Sequence, residues 1–266
     1  MSAIDQRFAE LRSAGRKALM PFITAGDPDL DFTRRALAEL AGAGGSILEL
    51  GLPYSDPIAD GPVIQASYTR ALAKRITLGA TFEMLASVTP ELSAPVVTMT
   101  SYAIVYRQGV ENYLQRAQAA GVAGAIVPDL PVDESAALAK LCGERDFSLI
   151  QLVTPTTGRE RAVRIAEQST GFLYYVSVTG ITGARQELPP ELVENVAWLR
   201  ERAEVPICIG FGISRPDQVR LLRDVADGVI VGSAIVRRME QADQRDRDEL
   251  LKELGEFTGT LAAALD

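Results

Sequence analysis

The chain has 266 residues, enough for one α/β barrel or two small domains, and its 47% hydrophobic content can fill a sizeable core. A formal net charge of −8 argues against a broad nucleic-acid surface. The absence of histidine excludes histidine-ligated zinc and Ser-His or Cys-His catalysis, leaving carboxylates, Tyr, Lys or Cys for proton transfer near neutral pH. Apolar runs such as 121–128 are too short to cross a bilayer, and Asp5, Arg7 and Glu10 do not read as a signal peptide. Cys142 and Cys208 sit in apolar contexts and read as buried free thiols, so the expectation is a cytoplasmic protein without membrane attachment.

In chain order, residues 4–11 predict a short helix ahead of the first strand. Strands are predicted at 18–24, 46–50, 95–100, 124–127, 148–153, 172–177, 206–210 and 228–231. Most are short, rich in Val, Ile and Leu, and lack clean polar alternation, as parallel strands buried on both faces do. Helical spacing is found at 31–43, which ends at a glycine pair, and at 62–74, which opens on Pro62. It recurs at 80–88, 111–120, 133–142, 159–168, 190–202, 215–223 and 246–265. Eight alternations predict a (β/α)8 barrel as one domain over 1–266, with an extra helix at the N-terminus and another after the second strand. An open doubly wound sheet is the alternative. The mixed-charge run 237–253 reads as a solvated helix surface.

Residues 48–61 read Leu-Glu-Leu-Gly-Leu-Pro-Tyr-Ser-Asp-Pro-Ile-Ala-Asp-Gly. Glu49 is a charge within an apolar strand, where burial is costly without a purpose. Strand alternation puts Ile47 and Glu49 on one face and Leu48 and Leu50 on the other. In a barrel that places Glu49 inside, at the catalytic mouth, where an apolar setting raises its pKa and suits it to proton shuttling. A buried ion pair is the other reading of Glu49. Asp60 sits in a long loop rich in Gly and Pro, and a helix cap or turn is its alternative role.

This segment resembles the signature of the tryptophan synthase alpha chain family. Supporting segments are Pro21-Phe22-Ile23-Thr24-Ala25-Gly26-Asp27-Pro28, Asp129-Leu130-Pro131, Gly180-Ile181-Thr182-Gly183, Gly210-Phe211-Gly212-Ile213 and Gly232-Ser233-Ala234. The last three follow predicted strands six to eight. Glycine lets backbone N–H groups approach an anion, and a helix starting at Gly232-Ser233 would add its dipole and a hydroxyl. The resemblance implies that Gly183, Gly212, Gly232 and Ser233 hold a substrate phosphate.

It further implies a retro-aldol cleavage of indole-3-glycerol phosphate to indole and glyceraldehyde 3-phosphate. Glu49 is then the candidate general acid–base, for both proton transfers, and Asp60 the carboxylate beside the indole N–H. Tyr174 is a candidate helper near the reacting carbon, with a packed barrel aromatic as the alternative. Phe22, Tyr102 and Phe211 are candidates to line the indole pocket. The loop 178–188 has the length and polarity of a lid. The implied partner is a beta chain, in an assembly of two alpha and two beta chains, with pyridoxal phosphate in the beta chain and no cofactor or metal in this one. Asp56 is the candidate for partner contact. The chain departs from the family at Ile104, at or beside a position where Asn is usual. Two other readings remain: a different sugar-phosphate barrel enzyme, and a non-catalytic phosphate-binding barrel that regulates a partner.

Overall fold

Strands that are apolar on both sides need a covering layer on each face, and a closed barrel with helices outside meets that need. The computed structural model describes residues 1–57, 60–177, 189–210 and 212–266. Among these, eight parallel strands form a closed barrel: β1 (Ala18–Thr24), β2 (Leu48–Gly51), β3 (Val96–Met99), β4 (Val122–Ile126), β5 (Ser148–Val153), β6 (Leu173–Val176), β7 (Ile207–Gly210) and β8 (Gly228–Val231). The pairing of β1 with β8, Ala18 opposite Gly228, closes the ring and rules out the open sheet.

The described helices are α1 (Ala3–Ser13), α2 (Leu30–Gly42), α3 (Pro62–Ala73), α4 (Leu78–Val88), α5 (Tyr102–Gln108), α6 (Val110–Ala119), α7 (Ala136–Gly143), α8 (Arg159–Gln168), α9 (Pro190–Arg200), α10 (Pro216–Arg223), α11 (Ser233–Met239) and α12 (Arg247–Ala263). Both predicted extras are present, as α1 and as the pair α3 and α4. Among the described residues, no helix is long and apolar enough to cross a membrane.

Strand alternation divides the core. Met20, Phe22, Ile47, Val97, Met99, Ile126, Ile150, Tyr174, Cys208 and Ile230 fill the barrel interior. Leu19, Leu48, Leu50, Leu149, Leu173, Ile209 and Val229 pack outward against the helices. Ile4, Phe8 and Leu11 of α1 join the interior group, so α1 plugs the end where the strands begin. Its start is held by a capping box between Ser2 and Asp5.

Three local readings need correction. The predicted helix 133–142 opens as a 3-10 turn, Val132–Glu134, and becomes α-helical only at Ala136. The seven-residue α5 follows β3, where none was predicted; Ser101 caps it and Gly109, at φ +78°, ends it. The charged run 237–253 is split, because α11 stops at Met239 and α12 starts at Arg247 behind its Asp246 cap.

Candidate active site

Glu49 lies second in β2, opposite Phe22 of β1 and Val97 of β3. It is 1% exposed, and neither carboxyl oxygen has a hydrogen-bond partner among the described residues. The ion-pair reading therefore does not describe it. Burial, aided by the neighbouring charge of Asp60, pushes its pKa up to about 8. A carboxyl so placed is neutral at pH 7, and a neutral acid can give a proton.

Asp60 follows positions 58 and 59, which lie outside the described residues. Its N–H donates to the Pro57 carbonyl at 3.1 Å, and its own carbonyl accepts from Gln65 Nε2 at 2.8 Å. Its carboxylate does not cap α3, whose N-cap is Gly61 without a side-chain hydrogen bond. Asp60 Oδ2 is buried, with no hydrogen-bond partner among the described residues. Burial raises the pKa to about 6, the Tyr54 hydroxyl beside it partly offsetting the rise. The two carboxyls thus differ at neutral pH, Glu49 protonated and Asp60 mostly charged, a division that assigns one as acid and the other as anion.

The interior cluster supplies aromatic neighbours. Phe22 is 4% exposed, with its ring against Gly51: a Cβ there would lie 2.6 Å from Phe22 Cζ. Tyr174 is buried in β6, its hydroxyl against Gly210, where a Cβ would lie 2.4 Å away. The charges of Glu49 and Asp60 add to burial in raising its pKa. The structure therefore brings Glu49, Asp60, Phe22 and Tyr174 to one mouth. Tyr102 starts α5, its N–H donating to Asp129 Oδ1 at 2.7 Å, and its ring packs against the outer core and lies 6.2 Å from that of Tyr106.

Two residues of this mouth were not singled out from sequence. Tyr54 and Tyr68 stack at 5.4 Å between ring centroids, tilted by 58°. Tyr68 belongs to the buried face of α3 with Ile64 and Ala71. The helical step from Ile64 to Tyr68, directly after the site loop, is the signal that could have marked it.

Gly212, at φ +75°, follows β7, a conformation that favours glycine. Gly232 ends the step from β8 into α11, which Ser233 opens, and a Cβ at Gly232 would lie 3.5 Å from Phe22. The three thus lie at the same end of the barrel as Glu49, with Gly232 nearest Phe22. Gly183, Phe211 and the loop 178–188 lie outside the described residues. Asp56 is exposed beside an open cleft of about 660 Å³, whose walls include Pro53, Ile104, Arg107 and Asp129. A second cleft of about 510 Å³ shares Pro53, Ile104 and Arg107. Both lie beside the mouth rather than over Glu49.

A family model described as tryptophan synthase alpha chain matches residues 8–266. The chain is 52% identical to a tryptophan synthase alpha chain from Rhodopirellula baltica, covering 100% of this chain and 99% of that one. Among solved structures, a tryptophan synthase alpha chain from Legionella pneumophila superposes with a TM-score of 0.89 at 32% identity, covering 100% of this chain and 98% of that one. A chain of the tryptophan synthase complex from Pyrococcus furiosus superposes at 0.83 and 35% identity, covering 93% and 99%.

Proposed function

The chain belongs to the tryptophan synthase alpha chain family, and from that premise we propose that Glu49 and Asp60 are the working carboxylates of its reaction. The reaction is the cleavage of indole-3-glycerol phosphate to indole and glyceraldehyde 3-phosphate, the alpha half-reaction of tryptophan biosynthesis. What carries the assignment is Glu49: a buried carboxyl with no partner among the described residues, beside a second carboxyl at the barrel mouth.

The chemistry follows from the two protonation states. Neutral Glu49 gives its proton to indole C3, and the positive charge that results spreads to the ring N–H. Charged Asp60 accepts a hydrogen bond from that N–H and stabilises the cation. Glu49, now a carboxylate, takes the proton of the glycerol hydroxyl next to the breaking bond. As the carbonyl forms, the electron pair of the C–C bond returns to the ring and restores its aromaticity. Indole and the aldehyde leave, and Glu49 is again the neutral acid. Groups in such roles typically contribute about 10²–10⁴-fold each. Tyr174 is a candidate helper beside the reacting carbon, and Phe22 a wall for the flat ring.

Gly212, Gly232 and Ser233 are the proposed phosphate contacts in the described residues, with Gly183 the expected fourth. Free backbone N–H groups at the start of a helix suit an anion without nearby cations, in keeping with an acidic chain. Similarity to a chain of a solved tryptophan synthase complex supports a beta chain as partner, in the expected assembly of two alpha and two beta chains. Asp56 and its cleft are the proposed contact. Pyridoxal phosphate is assigned to that partner. Residues 1–266 are taken to act as one barrel unit. The buried free thiols Cys142 and Cys208 support a reducing, cytoplasmic setting.

The deciding assay follows indole release from indole-3-glycerol phosphate, with and without a beta chain. Glu49→Gln should lose turnover in both while still binding glyceraldehyde 3-phosphate. Turnover close to the wild type would remove Glu49 from the mechanism, and a regulatory barrel would show binding without turnover in the wild type itself.

A further inference from the structure

Asp60 is carried to the mouth by α3. The helix begins two residues after it, at Pro62, and its first turn holds the Asp60 loop: Gln65 Nε2 donates to the Asp60 carbonyl at 2.8 Å and to the Pro57 carbonyl at 3.2 Å. Where α3 stands on the barrel therefore sets where the Asp60 backbone stands.

Two polar contacts dock the inner face of α3 on β1 and on the loop that follows β1. Ser67 Oγ donates to the Ile64 carbonyl at 2.7 Å, so in its contact with Thr24 Oγ1 at 2.6 Å it is the acceptor; both hydroxyl residues are fully buried. One turn further along, Arg70 takes both oxygens of Asp27, Nε donating to Oδ1 at 3.0 Å and Nη2 to Oδ2 at 2.6 Å. The contacts advance by three residues on both elements, 24 to 27 and 67 to 70, so together they fix the height and the rotation of α3. Ile76, just past the helix, closes over Gly26, where a Cβ would lie 2.9 Å from its Cδ1.

Asp27 is 2% exposed, and the Arg70 side chain 33%. A buried carboxylate is a poor way to stabilise a helix contact, because taking the charge out of water costs about what the pair returns and packed hydrocarbon does as well. What a guanidinium fork on a carboxylate adds is a fixed direction. The second acid beside Arg70, Glu240 after α11, is 3.9 Å away and partly exposed, where an ion pair counts for little.

We propose that Arg70 is a positioning residue for the reaction, its paired hydrogen bonds to Asp27 holding α3 so that Asp60 stands against the indole N–H. The proposal rests on Asp60 as the working anion. Arg70 itself touches no reacting atom. It acts through α3, so its loss lowers kcat only while Asp60 is there to be misplaced.

The test is a double-mutant cycle on indole release from indole-3-glycerol phosphate, with the full chain and rates taken per folded molecule. Arg70→Lys keeps the charge and removes the fork. It should lower kcat about tenfold and change KM by less than about twofold, as a small misplacement of a reacting group does. In the Asp60→Asn background the same substitution should cost less than about twofold, because the carboxylate it serves is gone. Equal losses in the two backgrounds overturn the proposal, and so does an unchanged kcat in Arg70→Lys. Asp27→Asn approaches the pair from the other side and covers the case in which Arg70→Lys does not fold. It should show the same loss of kcat, again absent from the Asp60→Asn background, and a loss that persists there overturns the proposal too. A near-normal rate in Asp60→Asn alone would sink the catalytic assignment and this inference with it, whereas a slow Asp60→Asn with equal losses in both backgrounds would sink the role of Arg70 alone.

Discussion

The two ends of the barrel treat buried polar groups in opposite ways. At the plugged end, where the strands begin, the buried side chains find partners. Ser148 Oγ donates to Ser2 Oγ at 2.8 Å, and Ser46 Oγ accepts from the Leu19 N–H at 3.2 Å. Ser169 accepts from the Gln151 N–H at 3.0 Å and donates to the Phe172 carbonyl at 2.6 Å. Asp227 accepts from the Ile207 N–H and pairs with Lys17 and Arg200. At the mouth, Glu49, Asp60 and Tyr68 keep buried polar atoms with no partner among the described residues. An unmade buried hydrogen bond costs about 1–3 kcal/mol, so the mouth is held against its own stability while the plug secures the fold. A ligand offering an N–H, a hydroxyl and a carbon to protonate would supply what the mouth lacks.

Substitutions at the two ends should therefore separate rate from stability. The largest effect is expected for Glu49→Gln, about 10³-fold in kcat for indole release. The same change should remove a stability slope. Because the folded pKa is raised, the folded chain binds the proton more tightly than the unfolded one. Wild-type stability should then be highest below about 4.5 and fall as pH rises towards about 8. Denaturant midpoints across that window should show roughly 2–4 kcal/mol lost by the wild type and a flatter line for Glu49→Gln.

Next comes Phe8→Ala in the plug. Phe8 is 5% exposed and packs on Phe172 at 6.1 Å between centroids. Its loss should cost about 3 kcal/mol by denaturant unfolding, with kcat per folded molecule unchanged. Asp60→Asn should lower kcat by about 10², and a loss of only severalfold would reduce Asp60 to a loop residue. The smallest effect is expected for Ser148→Ala, about 1 kcal/mol in stability and none in kcat, because it leaves Ser2 without its donor. A plug variant that slowed catalysis while folded would break the division between the ends.

The same contrast explains what could be read without a structure. Strand positions were legible because two-sided burial makes each strand a short apolar run, and Gly and Pro mark the ends. Glu49 stood out for the same reason, as a charge where the pattern demands hydrocarbon. Tyr68 did not, because a tyrosine at inward helical spacing is ordinary core, and what sets it apart is a buried hydroxyl with no partner among the described residues. The helix α5 escaped notice because seven residues give too little periodicity, and its cap, Ser101, is itself tied to Asp129 at 2.6 Å by a distant loop.

The protonation state of Glu49 tests this account most directly. Difference infrared spectra of the full chain across pH should show the carbonyl band of a neutral carboxylic acid, absent from Glu49→Gln, that persists at pH 7 and disappears with a midpoint near 8. A band already lost near 4.5, the ordinary value for a glutamate, would mean that Glu49 is charged at neutral pH and cannot be the acid that starts the reaction.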